Sequence, residues 1–249
     1  MLKVRVIPIL TFNGLGLVKT KNFSNPRMVG NPVQAARVYN SRGVDELAFI
    51  DITATKQHRK INLNLVKEVV KQCFMPVSIG GGIQDIDDIN NLLRIGADKV
   101  IIKTKAITNK EFIGKAVSFF GSQCISVAVD IVKEGAEYKV FNDLGMNISA
   151  HDFIKEMQQL EAGEILINSV ARDGTMEGFD IPMVNSVSND IKIPFVIIGG
   201  GGNPSHFGDL FSSTKCSAVG AASIYHFTQY TPLDIRRELS RIGKPVRNV

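Results

Sequence analysis

The chain carries one long internal repeat, and that repeat constrains its fold more than any other feature. Gly80-Gly81-Gly82 recurs as Gly199-Gly200-Gly201, and the run ending Pro8-Ile9-Leu10-Thr11 matches the run ending Val127-Ala128-Val129-Asp130. Both matches lie at an offset of 119 residues (81 to 200, 11 to 130). Stacking repeats are far shorter, roughly 20–50 residues, so this period marks two halves of one domain rather than a solenoid. Short apolar runs at 4–10, 47–51, 76–79, 99–103, 125–130, 164–168, 195–198 and 218–221 alternate with amphipathic stretches. Continuous rather than alternating apolar runs are what parallel strands buried on both faces require. Helix starts are readable at Asn31-Pro32, Asn109, Ser149 and Asn203-Pro204, where a side-chain oxygen can cap the first turn. Eight strand–helix units in this order predict an α/β fold, a (β/α)8 barrel spanning 1–249 as a single domain. An open doubly wound sheet is the alternative.

Composition narrows the function classes. Hydrophobic residues make up 44%, enough for a large core, yet no apolar run reaches the ~18 residues that span a bilayer. The start reads directly into a strand with no signal-peptide pattern, and Cys73, Cys124 and Cys216 are an odd, widely spaced set. They read as buried free thiols of a cytoplasmic protein, with no metal or cofactor spacing. The net charge of +5 comes without basic runs interleaved with aromatics. It fits a phosphorylated small molecule better than nucleic acid or a membrane. The charge is uneven: Lys3, Arg5, Lys19, Lys21, Arg27, Arg37 and Arg42 all precede the first acidic residue, Asp45.

In a barrel of this kind reactive groups gather at the C-terminal ends of the strands. Gly199 and Gly200, followed by a helix at Asn203-Pro204, and Ala222-Ser223, opening another, predict an anion site. The repeat supplies a second from Gly81 and Gly82 with Lys103 and Thr104. Two such sites across one mouth imply an elongated ligand phosphorylated at both ends. Between them Asp130 faces Thr11. Asp130 ends a buried strand, where desolvation suits a carboxylate to acid/base work; helix capping is the plainer reading. Lys19 begins a long polar loop that reads as a mobile lid carrying a phosphate-seeking lysine, or equally as solvated surface. Arg5, Glu46, Lys99 and Glu164 stand at strand starts. Strand alternation would point some of them inward as a salt-bridged floor, whereas spacing alone reads as ordinary surface charge.

Several segments together resemble the cyclase subunit of imidazole glycerol phosphate synthase, of histidine biosynthesis, nearly end to end. They include Val18-Lys19, Asp45-Glu46-Leu47, Phe49-Ile50-Asp51-Ile52-Thr53-Ala54, Gly80-Gly81-Gly82-Ile83 and Gly96-Ala97-Asp98-Lys99-Val100. Phe120-Gly121-Ser122-Gln123, Gly163-Glu164-Ile165-Leu166, Arg172-Asp173-Gly174-Thr175 and Ala221-Ala222-Ser223 complete the set. The resemblance implies a glutaminase partner docked at the barrel floor beside Asp98, with ammonia passing a gate formed by Arg5, Glu46, Lys99 and Glu164. It also places Asp173 and Gly174 in the substrate-binding mouth. The family uses two aspartates as acid and base, and one of them maps to Asp130.

The other maps to Thr11. Where the family's first strand reads Cys-Leu-Asp-Val, this chain reads Ile9-Leu10-Thr11-Phe12, and an aliphatic hydroxyl does not replace a carboxylate as base near neutral pH. Lys103 stands where an Asn is expected, and Asn168 and Ile198 replace small hydroxyl residues. These departures mark a divergent paralogue. Such relatives occur with a glutaminase and a third, amidotransferase protein that amidinates an acetamido sugar for surface polysaccharide (O-antigen), and that is the function expected here. Two alternatives stand beside it: a genuine cyclase, a lyase working with Asp130 alone, and a non-catalytic subunit that only activates the glutaminase. The related bisphosphate isomerase of the same pathway needs no ammonia and hence no charged floor gate.

Overall fold

A computed structural model describes residues 3–247. Eleven strands form one sheet: β1 (Arg5–Phe12), β2 (Leu17–Lys21), β3 (Ser24–Gly30), β4 (Leu47–Asp51), β5 (Val77–Gly80), β6 (Lys99–Ile102), β7 (Ile125–Glu134), β8 (Glu137–Val140), β9 (Glu164–Ser169), β10 (Phe195–Ile198) and β11 (Ala218–Ala221). Eight of them pair in parallel, in the order β1-β4-β5-β6-β7-β9-β10-β11, and β11 pairs with β1 to close the barrel. The α/β barrel is therefore the observed fold, and the open sheet is excluded. Alternation within each strand divides the apolar residues. One set, including Leu10, Phe49, Ile79, Val127 and Ile167, packs outward under the helices. A smaller set, Ile7, Ile9, Ala48, Ile101, Leu166, Val196 and Ala218, fills the barrel interior.

The helix caps follow the sequence. Asn31 accepts hydrogen bonds from Val33 N and Gln34 N at the head of Pro32–Ser41, Ser149 accepts from Asp152 N, and Asn203 accepts from His206 N. The fourth-unit helix starts one residue later than expected, at Glu111, while Asn109 still accepts from Phe112 N. Cys216 is buried, but Cys73 and Cys124 are only half-buried, so the expectation of three buried thiols holds for one. Among the described residues no helix is long and apolar enough to cross a membrane.

Two departures from the sequence reading shape the site. The long polar loop after β1 is instead an antiparallel ribbon, β2–β3, turning at Asn22 and Phe23 with positive φ at both. That is the backbone twist two-residue hairpins favour, although Phe carries a steric cost there. β7 also runs past Asp130 to Glu134 and folds back on β8, so Asp130 lies within a strand rather than at its end.

Candidate functional site

A cavity of about 760 Å³ opens at the C-terminal end of the barrel. Every mouth residue singled out in the sequence lines it: Thr11, Lys19, Gly81, Gly82, Lys103, Thr104, Asp130, Asp173, Gly174, Gly199, Gly200, Ala222 and Ser223.

The two glycine turns share one backbone geometry. Gly81 has φ +110° and Gly200 φ +111°. A Cβ on Gly81 would sit 2.3 Å from the Asp51 carbonyl oxygen, and one on Gly200 would sit 2.1 Å from that of Gly178. Only glycine meets both conditions, and the repeat is thus conserved in conformation as well as in letters. The turns are braced differently. In the first half Arg59 grips Asp51 through Nη1 at 2.6 Å and Nη2 at 2.9 Å, and Asp51 also caps Thr53 N and Ala54 N. In the second half Lys19 Nζ reaches both oxygens of Asp173, at 2.7 and 3.0 Å. Lys19 is 7% exposed, which corrects the solvated-surface reading, and its ribbon is tied down further by Asn22, which donates to Val170 O and Ala171 O. Ser223 Oγ and Asn168 Oδ1 are buried at the cavity wall without a hydrogen-bond partner. Such groups are costly unless something completes them, so both favour a polar ligand.

At the centre, Thr11 and Asp130 are already engaged. Thr11 Oγ1 donates to Val18 O. Asp130 accepts from Asn168 Nδ2 at 2.9 Å and is ion-paired with Lys103. Lys103 Nζ lies 5.5 Å from the Phe141 ring centroid and 5.8 Å from that of Phe23, close enough for cation–π attraction. Asp130 is therefore neither an isolated desolvated carboxylate nor a helix cap. Lys103 places a cation on it. Nearby His226 is pushed down to about 4 by burial and by the Lys19 charge, so it stays neutral near pH 7.

The floor residues also come together. Arg5 binds Glu46 (2.6 Å) and Glu164, and Lys99 binds Glu46 (3.1 Å) and Glu164 (3.0 Å), a closed ring of two cations and two carboxylates. Glu46 is 3% and Glu164 5% exposed, which overturns the reading as ordinary surface charge. Burial alone would raise the Glu46 carboxyl, but Lys99, Arg5 and a Ser78 hydrogen bond hold it below the usual range. Burial likewise opposes the Arg5 charge, and Glu164 and Glu46 outweigh it, raising the guanidinium. Asp98 is exposed at this face, with Oδ2 accepting from Val77 N at 2.8 Å.

Sequence reasoning missed Arg59, Phe23 and Phe141. No local pattern announces them: Arg59 is placed by the loop after β4, and the two rings meet at 5.6 Å only because the ribbon and the β7–β8 hairpin converge. No group of three or more His, Cys, Asp or Glu side chains among the described residues is arranged to hold a metal. Residues 5–231 match the family model described as histidine biosynthesis protein. The match covers most of the chain, the closed barrel is the architecture read from the same residues, and the chain belongs to the histidine biosynthesis protein family.

Proposed function

We propose that this barrel is the ammonia-conducting subunit of a glutamine-dependent amidotransferase system. A glutaminase docks on the floor beside Asp98 and releases ammonia at the Arg5–Glu46–Lys99–Glu164 ring. The interior above the ring is apolar, lined by Ile7, Ala48, Ile101, Leu166 and Val196. Such a lining suits neutral ammonia and penalises ammonium, because an unpaired charge is expensive to bury. The upper cavity then passes ammonia to a third protein, which uses it to amidinate an acetamido sugar for surface polysaccharide.

The observation that carries this reading is the state of the reaction centre. A cyclase of this family needs two free carboxylates facing each other. Here one position is Thr11, committed to Val18 O, and the other is Asp130, covered by Lys103 and Asn168. Ammonia transfer needs neither group as acid or base. The retained pair of glycine turns favours one rival, a cyclase working through Asp130 alone. Complementation separates the two: a histidine auxotroph lacking its cyclase is expected not to grow when supplied with this chain, and restored growth would overturn the proposal.

A further inference from the structure

The rim of the upper cavity exposes apolar side chains beside a cationic ribbon. Leu15 is 88% and Met28 63% exposed, and Phe23, Leu144, Met146 and Phe227 are also exposed. All six lie in segments that leave the C-terminal ends of barrel strands. Around them, Met28 packs over Gly16, Arg27 sits 4.8 Å from the Phe227 ring, and Phe23 meets Phe141 at the cavity wall. Exposed apolar side chains gathered at one end of the barrel point to an interaction site. The ribbon adds a second sign. β3 ends the sheet order with no strand on its outer side, and its residues are exposed except Val29, which is half-buried. An uncovered edge is a liability that proteins cover or blunt.

The charge identifies what covers it. The chain has no acidic residue before Asp45, so Lys21 and Arg27 on the ribbon have no carboxylate within their own segment. A second copy of this chain would set one cationic ribbon against another across a two-fold axis. A bilayer would press acyl chains onto a rim whose centre holds Lys103, Asp130 and Asp173. A protein face with an apolar centre and acidic margins satisfies both the arc and the ribbon.

We infer that the top of the barrel is a docking face for a separate, acidic-margined protein that seals the cavity mouth and takes up what leaves it. This rests on the proposed ammonia transfer and names where the acceptor sits.

The test uses a photo-crosslinking amino acid at Met28 or Leu144 on the top and at Phe74 on the floor, each in the full chain expressed in its native host, with adducts identified by mass spectrometry. Top probes are expected to join one protein other than the glutaminase. The paired substitutions Lys21→Glu and Arg27→Glu are expected to lower that adduct about tenfold while leaving the Phe74 adduct unchanged. No top adduct, an adduct to a second copy, or binding of the purified chain to phosphatidylglycerol vesicles would overturn the inference. Failure of the Phe74 probe to join a glutaminase would instead sink the ammonia reading, so the two failures are distinguishable.

Discussion

Replacing Arg5 by Met is expected to destabilise the barrel by about 3 kcal/mol near pH 7, and to do so less at lower pH. The substitution removes the cation 2.6 Å from Glu46 and the one bound to Glu164, leaving Lys99 alone to serve two carboxylates at 3.1 and 3.0 Å. Breaking a buried pair costs roughly 3–5 kcal/mol because a charge is left uncompensated. The remaining Lys99 and the partial exposure of Arg5 put the expected value at the lower end. The pH dependence has a definite sign. In the intact ring Glu46 sits below its ordinary value of 4.5, so its contribution is full above that pH and is lost as pH falls through the lowered value. Without Arg5, burial, already the largest single influence on Glu46, pushes the carboxyl upward, and protonation then relieves part of the penalty. The gap between variant and parent therefore narrows from pH 7 to pH 5. Urea midpoints with matched slopes at both pH values measure it. A loss below about 1 kcal/mol at pH 7, or a gap that widens on acidification, would refute the buried-ring reasoning.

Other perturbations test the cavity. Gly200→Ala, which forces a Cβ to 2.1 Å from Gly178 O at φ +111°, is expected to cost about 3 kcal/mol or more in urea unfolding. Lys19→Met leaves Asp173 buried without its cation, and a loss of about 3 kcal/mol in urea unfolding is expected. Because His226 titrates at about 4 when folded against 6.5 unfolded, stability should rise with pH between those values, by roughly 3 kcal/mol, and His226→Gln should flatten that part of the profile. The double substitution Thr11→Asp with Lys103→Asn sets two carboxylates opposite each other and removes the cation from Asp130. It is expected to gain measurable cyclase turnover that neither parent nor Thr11→Asp alone shows.

The barrel strands were legible because burial on both faces leaves continuous apolar runs; residues 47–51, 195–198 and 218–221 match β4, β10 and β11 at both ends. The 119-residue offset located the paired turns, since positive φ at Gly81 and Gly200 leaves glycine as the residue that fits. The ribbon was illegible for the converse reason. Its outer strand β3 is exposed almost throughout while Leu17, Val18 and Lys19 of β2 are buried in succession, so no apolar alternation survives, and its turn uses Asn22-Phe23 rather than a glycine pair. The pairing of Lys19 with Asp173, 154 residues away, and the cover that Lys103 gives Asp130 belong to tertiary geometry. Sequence supplied the unusual residues at 11 and 103. It did not say that the lysine would settle on Asp130.

The most direct test of a conducting rather than cyclising barrel is turnover of the bisphosphorylated ribonucleotide substrate of the family's cyclase by the purified protein, in high ammonium salt and without a partner. No turnover is expected from protein shown to be folded by its urea transition. Turnover at a rate typical of enzymes, on the order of 1 per second or faster, would contradict the claim and make Asp130 a working catalytic group despite Lys103 and Thr11.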